Sequence, residues 1–78
     1  MPKTIKSVFT KEYQELLRKL QRARIRAGLS QIEVAKKIKK PQSFVSKCES
    51  GERRVDFIEL RRFAKLYRKP LSYFEPSH

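Results

Sequence analysis

The sequence predicts an all-α domain of five helices, compact, with a helix-turn-helix formed by the second and third. Three observations carry that prediction. Apolar residues recur at three- and four-residue steps in successive stretches, with no alternating strand pattern anywhere. Two of those stretches open with the same start signal, a short polar cap followed three residues later by glutamate. Between them lies a short segment whose outward residues are glutamine, serine and lysine. These side chains hydrogen-bond base edges and phosphates when a helix lies in a major groove.

Taken in order, Thr10 is placed to cap a first helix over Lys11 to Ala27, with Glu12 favourable in its first turn. Tyr13, Leu16, Leu17, Leu20, Ala23 and Ala27 form its inward stripe. Gly28 then stops it in a left-handed terminal conformation. Arg24 lies beside the stripe, and a partly buried arginine needs a partner. Apart from the capping Glu33, Glu49 is the acid available within the helix-turn-helix.

Ser30 and Glu33 stand at the two positions of a capping box, and Leu29 and Val34 at those of a hydrophobic staple. Val34, Ala35 and Ile38 then face inward. After the Lys39-Lys40 turn, Pro41 starts the third helix, where its missing N–H costs nothing. Val45 and Cys48 point into the core, while Gln42, Ser43, Ser46 and Lys47 point largely outward. Gly51 suits a left-handed end to this helix, about 42–50, and Glu52-Arg53-Arg54 is an exposed loop. Asp56, Glu59, Val55 and Leu60 repeat the box and staple. Phe57, Leu60, Phe63, Ala64 and Tyr67 supply the inward stripe of the fourth helix, which Lys69-Pro70 ends. Pro70 to Phe74 adds a last short helical turn, with Leu71 and Phe74 in the core. Residues 1–9 read as a flexible basic segment that Val8 and Phe9 could pin to the body, 10–74 as the domain, and 75–78 as a disordered tail.

Composition bounds the function. The chain has 78 residues, with 20 basic against 8 acidic and a formal charge of +12, so its partners are polyanions. A single cysteine excludes an internal disulfide, and no cysteine/histidine set for zinc is present. No apolar run approaches a membrane span and no secretory h-region appears. A soluble, cytoplasmic protein is expected, without cofactor, metal or membrane. No nucleophile–base pair or carboxylate dyad marks an enzyme. Cys48 reads as a core residue, and Arg61, Arg62, Lys65 and Arg68 as a solvated outer face. The lysines between Val34 and Cys48 coincide with the surface expected to meet phosphates.

These residues resemble the lambda-repressor-like, Xre/Cro-type helix-turn-helix family over about Leu16 to Phe74. The resemblance rests on Leu29-Ser30-Gln31-x-Glu33-x-Ala35, then Gln42-Ser43-x-Val45-Ser46-Lys47, then Glu49-x-Gly51, a capped fourth helix and a Leu71…Tyr73-Phe74 ending. It implies a transcriptional regulator, repressor-like, that reads double-stranded DNA with its third helix. Gln42, Ser43, Ser46 and Lys47 would read bases. Gln31 would clamp a phosphate and brace the recognition helix, Arg53 and Arg54 would grip phosphates, and Arg24 with Glu49 would form a buried ion pair; Lys40, from the lysine run, is expected at phosphate as well. A weak homodimer, assembled mainly on DNA, would supply specificity, with no small-molecule ligand and a nucleoid-associated location. A second reading, an antitoxin-like or partner-binding module with autoregulatory DNA binding, stands beside the first.

Three departures from the family pattern matter, the third being Phe44, which stands where the family often has a small polar residue. Lys39 occupies a turn position usually held by glycine, at a cost on the order of 1 kcal/mol if its φ is positive. Pro41 replaces the usual Ser/Thr cap, trading a cap bond for a preset φ. Phe44 has three readings: packing against the fourth helix or the N-terminal arm, which is favoured, contact with a thymine methyl, or a protein contact.

Overall fold

The computed structural model describes residues 10–75. The expectations for residues 1–9, Val8 and Phe9 included, and for 76–78 lie outside the described residues. Four α-helices and a closing 3₁₀ turn follow one another, with no strand among the described residues: α1 Lys11–Arg26, α2 Gln31–Ile38, α3 Gln42–Ser50, α4 Phe57–Tyr67 and the 3₁₀ turn Leu71–Phe74. The expected fifth helix is thus a four-residue turn, since Pro70 and a short apolar run leave no length for an α-helix to propagate.

Each start follows from its cap. The Thr10 hydroxyl accepts the Tyr13 N–H at 3.0 Å. Ser30 and Glu33 form a reciprocal capping box at 3.1 and 2.8 Å. Asp56 and Glu59 do the same at 2.8 and 3.1 Å. Pro41 caps α3 with φ −67° and no side-chain bond. In each box two orphan N–H groups of the first turn are satisfied, so the helix begins at a defined residue.

The core gathers Leu20 and Ala23 from α1, Val34 and Ala35 from α2, Val45 and Cys48 from α3, and Phe63, Ala64 and Tyr67 from α4, closed by Phe74. The staple residues Leu29, Val55 and Leu60 are partly buried against it. Two cross-links secure its ends. The Tyr13 hydroxyl accepts the Val55 N–H at 2.9 Å, joining α1 to the loop before α4. Lys19 Nζ donates to the Glu75 carbonyl at 2.7 Å, tying α1 to the chain after the 3₁₀ turn.

Two residues expected on inward stripes are not buried. Phe57 is 62% exposed: it is the first residue of α4, and because side chains tilt toward a helix N-terminus, its ring overhangs the packed region. It borders a shallow groove with Thr10, Tyr13, Leu60 and Leu71. Ala27 is exposed because it lies at the C-cap, beyond the last turn of α1.

Helix ends use the left-handed conformation four times. Gly28 at φ 77° and Gly51 at φ 90° do so without a Cβ penalty. Lys39 at φ 60° and Arg68 at φ 61° do so with one. At both non-glycine ends the following N–H reaches back six residues inclusive: Lys40 to the Ala35 carbonyl at 3.0 Å and Lys69 to the Ala64 carbonyl at 2.9 Å. That closure satisfies orphan carbonyls and holds the strained residue in place. Arg68→Gly is therefore expected to stabilise the domain by up to about 1 kcal/mol, the left-handed Cβ penalty less the entropy glycine gains when unfolded. Urea unfolding measures it, and a loss of stability would contradict the assignment.

Candidate nucleic-acid interface

The outward face of α3 is set by its inward one. Val45 and Cys48 are fully buried, which leaves Gln42, Ser43 and Lys47 exposed and Ser46 half-buried. Burial also pushes the Cys48 thiol up from its ordinary range, so it stays protonated and packs as a small apolar group. Lys40, exposed in the turn between α2 and α3, stands at the approach to this face.

A chain of polar contacts connects the face to the interior. Arg24 Nε donates to Glu49 Oε2 at 2.6 Å, and its Nη2 to Oε1 at 3.2 Å. The same guanidinium donates to the Leu29 carbonyl at 2.9 Å, just before α2. Gln31 Nε2 donates to Glu49 Oε1 at 2.9 Å, and Gln31 Oε1 accepts from Gln42 Nε2 at 3.4 Å. One carboxylate near the end of α3 thus joins α1, the first residue of α2 and, through Gln31, the first residue of α3. The Arg24 and Glu49 side chains are only 11% and 5% exposed, so the pair is screened little by solvent.

The loop after α3 is arranged differently from a free cationic grip. Arg53 Nη1 and Nη2 donate to the two Glu59 oxygens at 2.7 Å each. The guanidinium carbon lies 4.6 Å from the centroid of the Phe44 ring, and Lys40 Nζ lies 5.3 Å from the same centroid. Phe44 is partly buried against the core, the packing role favoured among its readings. Arg54 is exposed, with its guanidinium carbon 4.3 Å from the Tyr13 ring centroid. Of the four residues expected at phosphates, Lys40 and Arg54 are exposed, Gln31 is bonded within the domain, and Arg53 turns its fork toward an acid.

The Arg53–Glu59 pair is the part that sequence reasoning missed. Six residues separate the two across a loop, a spacing that no helical or strand period relates. Glu59 had a complete explanation as a capping residue, and it serves both roles. That Gln31 braces α3 was implied by the resemblance, but Glu49 as its partner was not legible, because the contact closes only when α2 and α3 pack.

Two consequences are measurable. Glu49→Ala leaves Arg24 without its counter-charge and is expected to destabilise folding on the order of 3–5 kcal/mol. Urea unfolding of the free protein checks this without reference to any ligand. The second is a pH effect. Hydrogen bonding from Arg53 holds the Glu59 carboxyl below its ordinary 4.5, and hydrogen bonding from the Ser30 N–H, then its side chain, lowers Glu33. Both are lower folded than unfolded, so their contribution is complete above about pH 4.5 and lost as pH falls through the depressed values. Acid titration of unfolding free energy should be flat near neutrality and fall below 4.5. The fall should be shallower in Glu59→Gln.

No curated protein matches the chain. A family model described as helix-turn-helix matches residues 20–74, which spans the C-terminal part of α1, the α2–α3 unit with its exposed polar face, α4 and the 3₁₀ turn. By fold, by the geometry of that face and by this match, the chain belongs to the Cro/C1-type, Xre-like family of DNA-binding helix-turn-helix regulators.

Proposed function

We propose that this domain is a sequence-specific regulator of transcription, repressor-like, which reads double-stranded DNA by placing α3 in the major groove. The observation that carries the reading is the tie between Gln42 and the Arg24–Glu49 pair through Gln31. A base reader must arrive at the groove already oriented, because each loosely held rotamer adds an ordering cost to binding. Gln42 is held at the first turn of α3 with one amide hydrogen bond made and the rest of the amide at the exposed face.

In this reading Gln42 pairs bidentately with adenine, or gives and accepts a single bond, while Ser43, Ser46 and Lys47 take neighbouring base edges. Gln31, Lys40 and Arg54 hold phosphates on either side and set the register of the domain on the duplex. One such module reads few base pairs, so specificity comes from a homodimer on two half-sites, assembled on the DNA. The charge of +12 adds affinity for any duplex and no discrimination among them. No described helix is long and apolar enough to cross a membrane; as a regulator bound to DNA, the protein would act in the cytoplasm beside the nucleoid.

Selection of bound duplexes from a randomised pool at roughly physiological salt tests the reading, since non-specific phosphate binding weakens there. Enrichment of inverted half-sites about one helical turn apart is expected; binding without enrichment would refute specificity. On the selected site, Gln42→Ala should cost about 1–3 kcal/mol and relax one base position. Arg54→Ala should weaken all duplexes alike and reduce the salt slope by about one unit.

A further inference from the structure

We propose that Arg53, held between Glu59 and Phe44, is a positioning residue that clamps the recognition helix to α4 and thereby sets base discrimination, rather than a phosphate contact. The clause about discrimination rests on the function proposed above; the clamp itself does not.

The geometry points this way from several sides. A guanidinium that meets both oxygens of one carboxylate at 2.7 Å uses its planar fork in full, and such pairs fix orientation as well as distance. Its guanidinium carbon lies 4.6 Å from the ring centroid of Phe44, a residue of α3 that is itself packed against the core. The same Nη1 also donates to the Arg54 carbonyl at 3.1 Å, and the Arg53 N–H donates to the Lys47 carbonyl of α3 at 3.1 Å. One residue therefore grips α3 through its backbone and through a ring, and grips α4 through Glu59.

That grip has work to do, because the helices do not otherwise approach closely there. The α3 backbone runs close to α1 and α2, whereas it makes little close approach to α4. The Arg24–Glu49 pair fixes α3 relative to α1 and α2. The Arg53–Glu59 pair adds a directional constraint against α4 to the apolar core the two helices share, so the two pairs together leave the helix little freedom to tilt. A phosphate that took the same two donors of Arg53 would have to displace Glu59, at the cost of a bidentate charge-assisted pair.

Glu59→Gln separates the two roles because they give it opposite signs. Glutamine still serves at the third position of a capping box, so α4 keeps its start, while the bidentate ion pair is lost and one negative charge is removed. If Arg53 is a clamp, the ratio of affinities for the selected duplex and a scrambled duplex falls by about fivefold or more. Arg53→Lys, which keeps the charge and loses the fork, should lower the same ratio with the salt slope unchanged. If Arg53 is a phosphate contact, Glu59→Gln frees it, every duplex binds more tightly and the ratio holds; that result overturns the proposal. Amide hydrogen exchange on the free protein decides the clamp without DNA. Faster exchange in α3 and residues 51–55 of Glu59→Gln, with α1 unchanged, is expected, and unchanged protection there overturns it. A wild-type protein with no duplex preference would refute the proposed function and leave the exchange result to judge the clamp.

Discussion

The Arg24–Glu49 ion pair is the interaction on which the rest of the reading surface depends. Taking two charges out of water is costly, and the cost is recovered only where hydrogen bonds satisfy what the pair leaves over. Here they do: the Leu29 carbonyl takes one donor of Arg24, and Gln31 donates to the oxygen that Arg24 shares. Apolar side chains in the same place would stabilise at least as well, but they would accept many small rotations of α3. A forked guanidinium with three hydrogen bonds, two to Glu49 of α3 and one to the Leu29 carbonyl before α2, accepts few. The pair thus gives α3 its orientation more than it gives the domain its stability.

Around that anchor, local and global signals agree. The capping boxes fix where α2 and α4 begin, and the buried stripes fix which way they face. Left-handed ends at Lys39 and Arg68 turn the chain sharply enough to bring the next segment back onto the core. Lys39 carries the cost of a Cβ in that conformation where glycine would not. In return the turn keeps a cation beside Lys40, next to the exposed face of α3.

What was legible in the sequence was whatever depends on near neighbours. Ser30 with Glu33 and Asp56 with Glu59 could be read directly, and so could the stripe Val45–Cys48, because caps and helical faces are set by spacing alone. The left-handed Lys39 was legible only through the family pattern, and Arg68 was not, since no glycine-like signal marks it. Phe57 misled because its azimuth on α4 is right and its height is wrong: periodicity says which face a residue occupies but not whether the core extends that far. Arg53–Glu59 and Gln31–Glu49 depend on how helices meet, which no one-dimensional pattern encodes. Those contacts belong to the site rather than to the fold, so the fold was readable to a greater depth than the site.

The imbalance of charge sharpens the same point. With 8 acids against 20 basic residues, an acid placed at random would find a cation almost anywhere, and its position would mean little. Four of the eight acids sit at structural joints. Glu33, Asp56 and Glu59 close helix starts, and Glu49 and Glu59 hold the two arginines that orient α3. Affinity for a polyanion needs only an excess of cations on the surface, which this composition supplies many times over. Discrimination among polyanions needs a rigid face, and in the proposed reading these acids supply it. The scarce charge carries the geometry, and the abundant charge carries the attraction.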